Sequence, residues 1–184
     1  MNIVDLTQGD EETAYQAAVL LVEGFKAHWP NAWPDMEAAQ EEVRESFGPD
    51  RINRIAVDSQ RKVLGWIGGT SEYQGNAWEL HPLVVHPAHQ GLGIGRALVA
   101  DLESLVADRG GVTVFLGTDD EDNMTTLSNI DLYPNVWEYI AGIESRGGHP
   151  YEFYQKLGYY IVGVIPDANG LGKPDIIMAK RVGG

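Results

Sequence analysis

The chain has 184 residues, no cysteine and a formal net charge of −14. That is enough chain for one domain with a full apolar core, and it excludes thiol nucleophiles, cysteine-held metals and disulfides. So acidic a surface also repels nucleic acid and favours a cationic small-molecule partner. Apolar residues make up 43% of the sequence, which argues against disorder. No run approaches the length of a membrane span, and the opening MNIVDLTQGDEE lacks a basic segment followed by an apolar one. A cytoplasmic protein without membrane contact is therefore expected.

In chain order, residues 11–27 predict a helix, with Ala14, Ala17, Ala18, Leu21 and Phe25 near helical spacing and Asp10 placed to cap it. His28 to Pro34 cannot continue that helix and contains Trp29 and Trp33. A second stripe of Met36, Ala39, Val43 and Phe47 follows Asp35 and stops at Gly48-Pro49. Strands are predicted near 54–57 and 63–70, joined as a hairpin through 58–61, and near 77–85. Leu98, Leu102, Leu105 and Val106 give a helix over 93–108 its buried face, ended by Gly110-Gly111. Val112 to Leu116 reads as a covered strand. An acidic loop follows over 118–132, then helices near 135–143 and 151–157, and strands near 159–165 and 176–179. The result is one α/β domain over 1–184 with a mixed sheet.

The segment Gln90-Gly91-Leu92-Gly93-Ile94-Gly95 stands between the strand ending Leu83-Val84-Val85 and the helix after it. Closely spaced glycines before a helix start present free backbone amides to an anionic ligand. The Gly-x-Gly-x-Gly spacing lacks the acidic residue of a dinucleotide fingerprint on the next strand, and no Lys-Ser or Lys-Thr of a P-loop follows it. Glu79 and His81 are two apart, so a regular strand shows both on one face. A carboxylate there can attract an ammonium group and take its proton, with the imidazole as relay or simply as a hydrogen-bonded residue of the rim. Asp119-Asp120-Glu121-Asp122 is either a solvated loop or a cluster that receives a polyamine. Trp29 and Trp33 fit equally a wall against a sugar ring or the core.

Gln90-x-x-Gly93-x-Gly95 behind Leu83-Val84-Val85-His86-Pro87, with Phe153-Tyr154-Gln155-Lys156-Leu157-Gly158-Tyr159 further on, resembles the GNAT N-acetyltransferases. Trp78 to Val85, Leu116 to Asp120, Thr125 to Ser128, His149 to Tyr154 and Lys173-Pro174-Asp175 are similar to the chromosomally encoded aminoglycoside 6'-N-acetyltransferases. The resemblance is dense from about Trp78 to Lys180, while the first 75 residues match mainly in layout and in Trp29-Pro30. It implies a single domain with a central mixed sheet of splayed strands and helices on both faces. It also implies acetyl-coenzyme A as co-substrate, bound at Leu83, Val84, Val85, Gln90, Gly91, Leu92, Gly93, Ile94, Gly95, Arg96 and Tyr154. The loop is less basic than in some relatives, with Gln90 and Arg96 as its polar contributors.

The same resemblance assigns Glu79 to deprotonation of the amine, His81 an accessory part and the Leu83 amide the thioester carbonyl. Tyr154 is placed near the coenzyme sulfur, a position that an aromatic core residue would also fill. With no cysteine to carry an acetyl group, direct attack in a ternary complex is expected. Trp29, Trp33, Trp78, Glu79, Asp119, Asp120 and Glu138 are the residues expected to bind an aminoglycoside. A polyamine or protein amine as acceptor, or coenzyme binding without turnover, are the alternatives. The resemblance also implies a homodimer. No metal is expected, because His28, His81, His86, His89 and His149 have no ligand spacing.

Overall fold

The computed structural model describes residues 1–184, which fold as two compact units. The first is Met1–Val114 with Val182–Gly184, and the second is Phe115–Arg181. Seven strands and five helices make the chain α/β, as the sequence predicts.

In the first unit, β1 (Asn2–Asp5), β2 (Arg51–Val57), β3 (Val63–Glu72) and β4 (Ala77–Val85) lie side by side, each antiparallel to the next. The sequence reading did not foresee β1. Its four residues become a strand through pairing with β2, from Asn2 opposite Val57 to Asp5 opposite Arg54. Arg54 fastens this edge by binding Asp5 of β1 and Asp101, the latter with Nε 2.7 Å from Oδ2.

Helices cover both faces of this sheet. α1 (Glu11–Phe25) begins at Asp10, whose carboxylate accepts from the Thr13 amide, and α2 (Met36–Glu45) begins at Asp35, which caps Ala38 in the same way. Together they bury Ala17, Ala18, Leu21, Ala39 and Val43 against Ile55, Trp66 and Val84. Each large apolar side chain fully buried there stabilises the fold by about 1.5–3 kcal/mol. The opposite face receives α3 (Ile94–Asp108), with Leu98 set against Gly65 and Leu102 against Gly69.

The ladder between β3 and β4 contains one irregularity. Gly65, Trp66 and Ile67 pair with Val85, Val84 and Leu83, but Gly69 pairs with Leu80, so His81 and Pro82 both oppose Gly68. Pro82 has no amide to donate, and the peptide bond before it is cis. Cross-strand partners share a face. Leu80 therefore lies on the α3 side with Gly69, and Glu79 on the α2 side. Past the bulge the alternation changes phase: Leu83 and Val85 now face α3, while Val84 joins the core under α1. Gly68 is the residue that permits this, since a β-carbon there would lie 2.3 Å from the His81 carbonyl oxygen.

In the second unit, β5 (Thr113–Asp119, which enters the unit at Phe115), β6 (Tyr160–Ile165) and β7 (Asp175–Arg181) are ordered β5-β7-β6, with β6 antiparallel to β7. The short helices α4 (Val136–Ala141) and α5 (Tyr151–Gln155) precede β6. Both were foreseen in position, each shorter than the sequence pattern indicated.

The bulge gives the first prediction. Gly68→Ala should destabilise the chain by roughly 1–3 kcal/mol, the usual cost of forcing atoms into a filled space, whereas Gly9→Ala, with open space around it, should change little. Urea unfolding of the two variants checks this, and equal midpoints would show that β4 tolerates a side chain opposite the bulge.

Candidate active site

Strand β4 leads directly into the glycine turn. After a short 3-10 turn at Pro87–His89, Gly91 and Gly93 adopt φ of +76° and +84°, a region that disfavours side chains. A β-carbon on either would meet nothing within 4 Å, so the backbone here lies open to an approaching ligand. Gly93 begins α3 without a side-chain cap, and the first turn contains no acidic residue. The amides of Ile94, Gly95 and Arg96 thus point out of the helix start unanswered, beside the positive end of a 15-residue helix. Arg96 is exposed and makes no ion pair, and Leu92 is exposed beside it. Gln90 turns its side-chain amide back to the Val85 carbonyl at 3.2 Å. Leu83, Val84 and Val85 form the strand that enters the turn.

On the α2 side of β4, Glu79 is half-buried and His81 exposed. Trp33 is held edge-on by Phe25 at 4.6 Å between ring centroids, and its own ring lies 5.8 Å from that of His81. Trp29 packs on Phe25 at 5.8 Å and on His28 at 5.5 Å. Glu42 of α2 also reaches His81, with Oε1 3.9 Å from Nε2. Sequence reasoning missed Glu42. Its only signal was a place beside the apolar stripe of α2, next to the buried Val43.

Trp78 departs from expectation. It is buried on the α3 side, donates to the Gly75 carbonyl at 3.2 Å and lies under the Arg109 guanidinium. Alternation along β4 thereby turns it away from Glu79, so it supports the sheet and does not line the Glu79 face.

In the second unit, Asp119 ends β5 half-buried, its carboxylate accepting from the Asn169 side-chain amide. Asp120, expected in the acceptor site, has no exposed surface. Its two carboxylate oxygens accept from the amides of Met124 and Thr125, each at 2.7 Å, and its carbonyl accepts from the Ser128 hydroxyl. Asp120 thus organises the loop, and Asp119 is the carboxylate of the pair with exposed surface. Glu138 is exposed on α4.

His149 is another buried polar residue of this unit. Its Nδ1 accepts from the Tyr151 amide at 3.2 Å, so Nε2 carries the hydrogen and donates to the Asp119 carbonyl at 3.1 Å. Burial holds this imidazole neutral by lowering its pKa. Tyr154 is buried against Phe153 and Tyr159, and burial raises its phenol above the ordinary range. A phenol so placed donates a hydrogen bond without ionising.

Residues 18–133 match the model of the acetyltransferase (GNAT) family. Comparison with curated protein sequences gave no match. Among solved structures, an aminoglycoside 6'-N-acetyltransferase complexed with coenzyme A is 45% identical, with a TM-score of 0.90 over 99% of this chain and 97% of that one. The aminoglycoside 6'-N-acetyltransferase from Enterococcus faecium is 44% identical, with a TM-score of 0.87 over the same shares. An aminoglycoside 6'-acetyltransferase type Ii is 37% identical, with a TM-score of 0.74 and again the same coverage.

Two predictions concern the second unit. The unfolded His149 titrates near pH 6.5, whereas the buried ring resists protonation. Stability should therefore be complete above about pH 6.5 and fall as pH drops toward the lowered folded value. Urea unfolding between pH 7.5 and 5.5 tests this: His149→Gln should flatten the slope, and an unchanged slope would place its origin elsewhere. Asp120→Asn should cost about 1–3 kcal/mol, because one of the two amides then faces an NH2 group. A thermal midpoint equal to the parent's would count against the loop's dependence on that carboxylate.

Family model, near-complete structural coverage and identities of 37–45% lead to one conclusion: this chain belongs to the GNAT acetyltransferase family, with acetyl-coenzyme A as its co-substrate.

Proposed function

We propose that residues 1–184 act as one N-acetyltransferase domain that moves the acetyl group of acetyl-coenzyme A to the 6'-amine of aminoglycosides. The observation that supports this most directly is the 45% identity, over nearly the whole chain, to an aminoglycoside 6'-N-acetyltransferase complexed with coenzyme A. The open glycine turn, the uncapped start of α3 and the unpaired Arg96 fit the phosphates of that co-substrate. The net charge of −14 suits a polycationic acceptor, with Asp119 and Glu138 as carboxylates for its ammonium groups and Trp29 and Trp33 as apolar walls.

The reaction needs a neutral amine beside a held thioester. Glu79 takes a proton from the ammonium form, directly or through a water oriented by His81, and leaves a lone pair on nitrogen. That nitrogen attacks the thioester carbon, whose oxygen takes up the electron pair and is stabilised by the Leu83 amide. Collapse restores the carbonyl, breaks the carbon–sulfur bond and expels the thiolate, while the attacking nitrogen releases its surplus proton to solvent and becomes a neutral amide. Tyr154 donates a hydrogen bond to that sulfur, and full protonation follows from solvent. Burial makes the phenol a poor source of a whole proton, and a free thiol already ionises near pH 8.5.

The chain would work in the cytoplasm, where acetyl-coenzyme A is available, without nucleic-acid or membrane partners, and would confer aminoglycoside resistance on its host. A homodimer is also proposed. Tyr160, Val162 and Ile165 of β6, the end strand of β5-β7-β6, leave large apolar side chains in water.

A thiol-release assay with acetyl-coenzyme A tests the acceptor. Turnover is expected with aminoglycosides bearing a free 6'-amine; turnover only with spermidine or basic peptides would move the activity to a polyamine or protein amine. Glu79→Gln should lower kcat by roughly 10²-fold while calorimetric binding of acetyl-coenzyme A is kept. Undiminished turnover in this variant from pH 6 to 9 would remove Glu79 from the chemistry. Light scattering on a sizing column should give twice the chain mass, and a monomer at every concentration would refute the dimer.

A further inference from the structure

Helix α2 carries four carboxylates, and one of them differs from the rest. Glu37, Glu41 and Glu45 are exposed, and Glu41 is paired with Arg44 on the outer surface. Glu42 is half-buried and has no cation partner; His81 is the group that it approaches. Its backbone is fixed, because its carbonyl closes the helix by accepting from the Ser46 amide, while Val43 beside it is locked in the core. Across the imidazole stands Trp33, itself held by Phe25. The ring of His81 is therefore bounded by an indole and faced at Nε2 by a carboxylate, although nearly half of its possible side-chain contact is with protein and the rest is open.

An imidazole has two nitrogens, and in its neutral form only one can accept a proton. Negative charge 3.9 Å from Nε2 is beyond a direct hydrogen bond, yet it favours the form with hydrogen on that nitrogen. The Nδ1 lone pair is then the one left for an incoming proton. We infer that Glu42 is a positioning residue: it selects the Nε2–H form of His81 and so decides which nitrogen can relay the proton from the acceptor amine or its water. Glu42 itself touches neither substrate in this scheme. The inference rests on the acetyl-transfer reading above, and it assigns a role to a residue thirty-nine positions away from the histidine that it serves.

Two measurements test it, one of them independent of turnover. Long-range proton–nitrogen NMR of the free protein, with the His81 signals identified by their loss in His81→Gln, should show mostly the Nε2–H form. Glu42→Gln should shift that population toward Nδ1–H, with the remaining histidines unchanged. In kinetics, Glu42→Gln should lower kcat by about tenfold with the KM for acetyl-coenzyme A unchanged. In a His81→Gln background the same substitution should have no further effect, because its route is gone. Glu42→Asp, which keeps the charge, should recover part of the loss. Independent, additive losses from Glu42→Gln and His81→Gln would overturn the inference, as would an unaltered tautomer population. If instead the parent protein turned over no acceptor while the NMR shift occurred, the positioning would stand and the acetyl-transfer reading would fail.

Discussion

The first unit depends on a close contact between two backbones: Gly68 of β3 against the carbonyl of His81 in β4. Proline cannot donate to a sheet ladder, so the chain needs an interruption at Pro82, and the bulge supplies it. The bulge also reverses the alternation of β4. Before it, Glu79 faces the α2 side and Leu80 faces α3; after it, Val84 faces α1 while Leu83 and Val85 face α3. One strand thereby shows ionisable groups to one layer and, two residues later, sends apolar residues to both. Strict alternation would have grouped Leu83 with Glu79 and His81.

A different economy governs the second unit, where the buried Asp120 and His149 are both engaged by hydrogen bonds. Asp120 answers two amides of its own loop, and His149 joins the Asp119 carbonyl to the start of α5. Both groups are expensive to desolvate and become tolerable only through these bonds. Their effect is to fix the end of β5 and leave Asp119 with the exposed surface. The acidic run is thus two kinds of carboxylate in sequence, one that shapes the loop and one that can meet a cation.

Much of this was legible in the sequence because it rests on local rules. Asp10 and Asp35 cap helices that their spacing announces, and the glycine turn stands between strand and helix as read. Glu79 and His81 were recognisable from their separation, which lies before the phase change. What escaped depends on contacts distant in sequence. β1 exists through pairing with residues some fifty positions away. Trp78 is the exception, a miss that the local rule covers: one position from Glu79 along β4, it takes the opposite face. Nothing local distinguishes the burial of Asp120 from the partial exposure of Asp119, and Glu42 finds His81 only once α2 has packed.

The charge of the chain poses a last problem, since a protein at −14 must hold a co-substrate that is itself an anion. Mean charge acts over distances that salt screens within about 8 Å under physiological conditions. Binding is decided inside that range, by the groups in contact. At the start of α3 those groups are backbone amides, the positive end of the helix and Arg96, with no carboxylate in the first turn. Acidity is kept out of the one place where it would oppose phosphate. Elsewhere it is free to attract a polyamine, and both requirements are met by arrangement of charge, without any change in its total.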